Sequence, residues 1–374
     1  MKILINTTRA IVGILFIFSG LVKAIDPLGL SYKMQEFFDL WHMTQFNNQT
    51  LWLSVMMITF EIIAGAALLL GWQMRIFSWL LLLLILFFTF LTGYAYLSGK
   101  FKNCGCFGDC IPITPLTSFL KDLVLTALIV FLFGNRHKIQ PLFSKGVNFI
   151  VILLVAAFSF GLQWYALNYQ PPVDCLPFKK GNNISEKMQV PAGALPDSFA
   201  IRFIYEKGGK QFEFAPAELP ADLNTYNYVS RTDKLVRKGN AEPAIKGFTL
   251  SGFSGEDSTA VVLSQPYAVL LFCEDFTTPF SEWKDDFTRL YAVVETKKIP
   301  IYVITSRADE AGNIFGAPPF TSLQIFKCDY TAIRTAARTN PTLYLLKQGT
   351  VVEKESHKKM DKIVKAIETL PVQQ

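Results

Sequence analysis

Histidine is scarce in this sequence, with three in 374 residues, and none lies close to a cysteine. That scarcity argues against a mixed Cys/His zinc site. No basic tract is interleaved with aromatic residues, so nothing points to nucleic-acid binding. Internal repeats and low-complexity segments are also missing, which speaks against a solenoid or a repeat-built transporter. The stretch 93–100 approaches a phosphate loop only superficially. It has one residue too many before Gly99-Lys100, and no Ser or Thr follows.

What is abundant is apolar surface. Hydrophobic residues make up 51% of the chain, mean hydropathy is +0.30, and the apolar residues crowd into the first 170 positions. A membrane crossing needs about 20 such residues. Five stretches approach that length, at 3–22, 51–70, 76–97, 116–133 and 147–167. The first reads as a transmembrane helix and not a cleaved signal, because four more hydrophobic segments follow it. Arg9 near its start can snorkel to the headgroups.

Charge placement sets an expected orientation. The loop holding Arg136, Lys138 and Lys145 carries no acid, and short basic loops favour the cytoplasmic side. By alternation the N-terminus lies inside. The loops 23–50 and 98–115, and everything after position 167, lie outside. All six cysteines then fall on outer loops or in the outer domain, where disulfides are permitted.

After position 167 the composition changes. Gln170-Pro171-Pro172 and the polar run 179–187 read as a linker. Residues 199–205 and 211–214 around Gly208-Gly209 read as one hairpin. Residues 226–230 and 234–236 around Thr232-Asp233 read as a second, giving a small β-rich layer over 196–239. From about 243 onward, strands at 267–272, 299–305 and 323–327 alternate with helices at 279–296 and 331–338. A hairpin at 342–353 and a helix at 357–370 close the chain. Such alternation implies α/β layers.

Two features carry chemistry. The run Asn103-Cys104-Gly105-Cys106-Phe107-Gly108-Asp109-Cys110 puts three cysteines in seven residues at the membrane surface. A Cys-Gly-Cys pair can close a small, labile ring. Three readings stand: a structural disulfide pinning the loop, a redox pair at Cys104 and Cys106, or a metal site. The last fits no standard ligand spacing, so no metal is expected. Cys110 serves either as a resolving thiol or as a partner for Cys175. The second feature is Glu61, mid-helix in the second span, where a lone carboxylate must be neutralised or paired. Arg9 and Lys23 are its candidate partners, with a Glu61–Arg9 packing pair as the plain reading. Asp122 lies near the cysteine loop in sequence, and it or Glu61 is a candidate proton handler.

At these residues the chain resembles a known group. Arg9-x₃-Gly13, Phe18-Ser19-Gly20-x₂-Lys23 and Asp26-Pro27 resemble the first helix of DoxX-like membrane proteins. Glu61-x₃-Gly65 with Gly71, and the Asn103–Gly108 run, resemble these and the MauE-like proteins of methylamine utilisation. The resemblance covers roughly residues 1–140. It implies quinone-linked sulfur oxidation or maturation of disulfide-containing periplasmic enzymes, and so thiol redox at Cys104 and Cys106. Residues 243–374 resemble a thioredoxin fold of the TlpA kind. Val269-Leu270-Leu271-Phe272 would be its central strand and Asn340-Pro341-Thr342 its cis-proline turn. Where Cys-x-x-Cys should open the long helix, Thr277-Thr278-Pro279-Phe280 stands instead. A thiolate draws its low pKa from that helix start, so the domain reads as redox-inactive and as a binding module. Cys273 and Cys328 read as buried structure.

The expectation is a bacterial inner-membrane protein with a bundle of five helices over 1–168. A linker and β-rich layer fill 169–242, and a periplasmic thioredoxin-like α/β domain fills 243–374. Its partners would be the lipid bilayer and a periplasmic protein bound near Pro341, with a quinone as the possible cofactor and no nucleic acid. Its alternative is a non-catalytic scaffold with structural disulfides that recruits envelope proteins.

Overall fold

The structure is a computed structural model that describes residues 1–101, 105, 107–237, 239–320 and 323–373. The first half is helical: α1 (Lys2–Ile25), α2 (Pro27–Leu40), α3 (Thr50–Leu70), α4 (Met74–Ser98), α5 (Pro115–Gly134) and α6 (Lys145–Tyr169). All but α2 are long and apolar enough to cross a membrane. Their ends lie within three residues of the hydrophobic stretches read from sequence. Side chains such as Ile3, Leu83, Phe90 and Leu154 point outward and exposed, as a lipid-facing belt requires. The protein is therefore a multi-pass membrane protein.

Helix α2 occupies what sequence suggested was only a loop. Asp26 caps it, accepting a hydrogen bond from the Gly29 amide at 3.1 Å, and Pro27 fills the first helical position. Helices α1 and α3 cross closely at glycines. A Cβ on Gly65 would lie 2.8 Å from the Gly13 carbonyl oxygen, so no larger residue fits without moving a helix.

The second half continues with α7 (Ile184–Lys187), β1 (Ser198–Lys207), β2 (Lys210–Phe214), β3 (Asn227–Arg237) and α8 (Thr259–Leu263). Then come β4 (Ala268–Cys273), α9 (Lys284–Lys297), β5 (Ile301–Thr305), α10 (Ala308–Phe315) and β6 (Gln324–Lys327). The chain ends with α11 (Tyr330–Ala336), β7 (Thr342–Lys347), β8 (Thr350–Ser356) and α12 (Met360–Glu368). Strands β6-β5-β4-β7-β8 form one sheet, parallel from β6 to β4 and antiparallel from β4 to β8. With the cis peptide at Asn340-Pro341 before β7, this is the thioredoxin arrangement plus one edge strand. β4 is buried throughout. Leu270 and Phe272 pack into one core layer, while Val269, Leu271 and Cys273 pack into the other beneath α9 and α12.

Two expectations need correction. Residues 227–237 form the single strand β3, paired along β1, because Thr232 and Asp233 continue the ladder opposite Arg202 and Ile201. The expected second hairpin does not form. The polar run 179–187 is likewise no free linker: Phe178 and Ile184 are buried with Phe248 and Leu250. The Gly181 and Ile184 amides donate to the Val351 and Gly349 carbonyls. The three-stranded sheet β2-β1-β3 thus leaves the chain between two segments of the larger domain, and none of its described residues is buried.

Candidate functional site

A cavity of about 270 Å³ lies inside the bundle at the end that carries the cysteine loop. That is close to the lower end of the ~300–1,000 Å³ typical of small-molecule sites. Phe16 and Ser19 of α1, Met34 and Phe37 of α2, Met57 of α3 and Phe88 of α4 contribute to its wall, which is mostly apolar. Lys23, Glu61, Lys121 and Asp122 all line it as well.

These four charges form two pairs. Lys23 Nζ donates to both Glu61 carboxylate oxygens, at 2.7 and 3.0 Å, and to Ser19 Oγ at 3.1 Å. It also lies 5.0 Å from the centre of the Phe88 ring. Both side chains are almost wholly buried, so removing either would strand a charge in an apolar bundle. Asp122, fully buried, accepts from Lys121 Nζ at 2.6 Å and from Thr92 Oγ1 at 3.0 Å. Lys121 Nζ lies 5.3 Å from the centre of the Phe107 ring, which comes from the cysteine loop itself.

The Glu61–Arg9 pair read from sequence is not formed. Arg9 sits at the far end of α1, where its guanidinium donates to the Leu69 carbonyl at 2.8 Å and the Gln140 carbonyl at 3.3 Å. It satisfies the exposed carbonyl end of α3, a task cations perform well. Lys23 wins because it lies fourteen residues further along α1, on the level of Glu61.

Cys104 and Cys106 lie outside the described residues. Gly105 between them and Phe107 after them both line the cavity. Cys110 is disulfide-bonded to Cys175, just beyond α6, so of its two expected roles the structural pairing is the one observed. Closing a loop of 65 residues stabilises the fold by about 4 kcal/mol on chain-entropy grounds.

The soluble domain brings no thiol to this place. Cys273 is fully buried, and burial, reinforced by Asp275, pushes its pKa far above the usual thiol range. Burial likewise pushes Cys328 up to about 11. At Thr277 and Thr278 the hydroxyls bond Asp275 Oδ1 and the Asn340 carbonyl. Pro341, expected to face a partner, is buried. The residues around it turn toward the bundle instead: Gln170, just past α6, donates to Thr339 Oγ1 at 2.7 Å and Thr342 Oγ1 at 2.9 Å.

A second charged junction was not anticipated. Arg338 donates from Nε to Asp26 Oδ2 at 2.8 Å and from Nη2 to Asp109 Oδ2 at 2.9 Å. Burial opposes its charge, but Asp26, Tyr32 and Asp109 outweigh that and hold its pKa above the ordinary value. Arg334 stacks over the Tyr32 ring at 3.5 Å and donates to Gln35 Oε1 at 2.5 Å. Tyr32 OH and Tyr330 OH both donate to Glu274, at 3.3 and 2.9 Å. Asp26-Pro27 is singled out only by its resemblance to DoxX-like proteins, and nothing local in the sequence marks Arg338 or Tyr32.

Comparison with known proteins matches the halves separately. Residues 1–134 match the family described as methylamine utilisation protein MauE, and residues 199–238 match a domain of unknown function. A relative, protein TlpB of Flavobacterium psychrophilum, is 31% identical over 154 residues, which is 40% of this chain. The chain spans 41% of the length of that relative. No solved structure matches. Residues 1–134 are thus similar to the MauE family, and the chain as a whole is a bundle with five apolar helices followed by an α/β domain with a thioredoxin-like sheet order.

Proposed function

We propose that this protein oxidises thiols at the cysteine loop and delivers the electrons to a membrane quinone bound in the bundle cavity. It would do so in a bacterial inner membrane, with the loop and the soluble domain on the periplasmic side. In the balanced step, the Cys104 and Cys106 thiols together give up two electrons and two protons as one S–S bond forms, and the quinone becomes a quinol. A reduced dithiol on a periplasmic protein then restores both cysteines by exchange and leaves oxidised.

The observation that carries this reading is the shared cavity. Residues flanking both cysteines in sequence, Gly105 and Phe107, line the same space as Lys23–Glu61 and Lys121–Asp122. A quinone supplies a two-electron acceptor, and its ring suits walls of Phe, Met and Leu. Lysine N–H groups are donors for an oxygen gaining negative charge, and the paired carboxylates are local stations for protons released by the thiols.

The test traps the thiols of Cys104 and Cys106 by alkylation in cells with and without respiratory quinone. A mixed population that becomes reduced on quinone depletion is expected. A loop that stays fully oxidised in both conditions supports the scaffold reading, in which the cysteines are structural and the outer domain recruits envelope proteins.

A further inference from the structure

The thioredoxin fold presents three things on one face: the end of the central strand, the cis-proline turn and the start of the following helix. In this protein that face is already occupied. Glu274 at the end of β4 receives Tyr32, and Thr339 and Thr342 beside Pro341 receive Gln170. Arg338, just before the turn, receives Asp26 and Asp109. All of these ligands come from the membrane half or its immediate exit. Arg338 is 4% exposed, and both carboxylates that hydrogen-bond its guanidinium belong to the bundle side.

We infer that the thioredoxin-like domain has its partner in its own chain: its cis-proline face seats α2 and the cysteine loop, with Arg338 as the positioning residue. One guanidinium ties two bundle elements together, the N-cap of α2 through Asp26 and the cysteine loop through Asp109. Asp109 stands three residues after Cys106 and directly before Cys110, whose disulfide to Cys175 holds the same stretch from the other side. The described end of the loop is therefore fixed at two adjacent residues, one by charge and one by a covalent bond. Another protein competing for this face would have to strip the buried Arg338 guanidinium from Asp26 and Asp109, which leaves a buried charge unpaired. The docking stands on these contacts alone; its consequence for thiol chemistry rests on the redox reading above.

The experiment uses the full chain in lipid nanodiscs with Arg338→Gln, Arg338→Lys and Asp109→Asn. Hydrogen exchange reads docking. In Arg338→Gln the amides of α2 and of residues 107–110 are expected to exchange roughly tenfold faster or more, while β4 and β5 keep their protection. Arg338→Lys restores part of the protection, because a point charge holds one carboxylate well but cannot fork across two. Quinone-dependent thiol oxidation reads positioning. Arg338→Gln and Asp109→Asn are expected to lower kcat with the KM for quinone unchanged, since the cavity walls are intact. Unchanged exchange in α2 overturns the docking. Faster exchange with an unchanged kcat overturns the positioning role. Absence of thiol oxidation in the unaltered chain defeats the redox reading instead, and the exchange measurement still decides the docking.

Discussion

The bundle and the soluble domain each bury a lysine against a carboxylate, in opposite surroundings. In the bundle, Lys23 and Glu61 meet at 2.7 Å and line a cavity. In the soluble domain, Lys354 and Asp174 meet at 2.6 Å over the Tyr344 ring. Burial lowers the pKa of Lys354, and Asp174 pulls it back. Buried ion pairs alone are weak evidence for either stability or function. Space beside the pair is what makes the bundle site a candidate for binding. The cysteines divide in the same way. Those of the soluble domain are sealed in core or near-core positions, and those of the loop belong to a segment that borders the cavity.

The two regions should differ most in the cost of breaking their ion pairs. Glu61→Gln should cost about 3–5 kcal/mol, because Lys23 keeps its charge without a counter-ion. Asp174→Asn should cost less, about 2–3 kcal/mol, because burial already lowers the pKa of Lys354 and the stranded lysine can shed its proton. Thermal unfolding in detergent checks both, and equal losses would break the distinction. Next in size, Cys110→Ser and Cys175→Ser should each cost about 4 kcal/mol, with the double substitution no worse than either single one. Additive losses would mean the two cysteines act separately.

Two smaller effects sharpen the contrast. Cys273→Ser places a hydroxyl in a fully apolar layer and should lose about 1–3 kcal/mol. Quinone-dependent thiol oxidation should be unaltered in that variant; a fall in rate would return chemistry to the thioredoxin-like domain. The smallest effect concerns pH. Burial lowers the pKa of His357 from its ordinary 6.5. Both folded and unfolded states are neutral above that value. As pH drops below 6.5 the unfolded chain takes the proton first, so stability declines from there downward until the folded group also protonates. His357→Gln should flatten that decline below pH 6.5, measured by unfolding midpoints.

Much of this was legible in the sequence. The spans announce themselves because twenty apolar residues have few other stable solutions, and the antiparallel end of the larger sheet is announced by Gln348-Gly349 between two strand patterns. Helix α2 was hidden because its capping signal precedes a mixed, weakly amphipathic stretch. Strand β3 was misread because Thr232-Asp233 has turn composition, yet lies within a ladder that pairing to β1 holds straight.

The charges show where sequence reasoning stops. Composition alone requires that Glu61, deep in an apolar span, find a partner, because hydrocarbon does not solvate a carboxylate. Which cation answers was decided by height along α1, and that placed Lys23 at Glu61 and Arg9 at the end of α3. Sequence likewise established that the soluble half is thioredoxin-like and lacks its Cys-x-x-Cys. That its cis-proline face meets the bundle depends on contacts between residues more than 200 positions apart, such as Arg338 with Asp26 and Asp109. Local patterns encode burial and helix ends because those depend on near neighbours; long-range charge pairing appears only once the chain has folded back on itself.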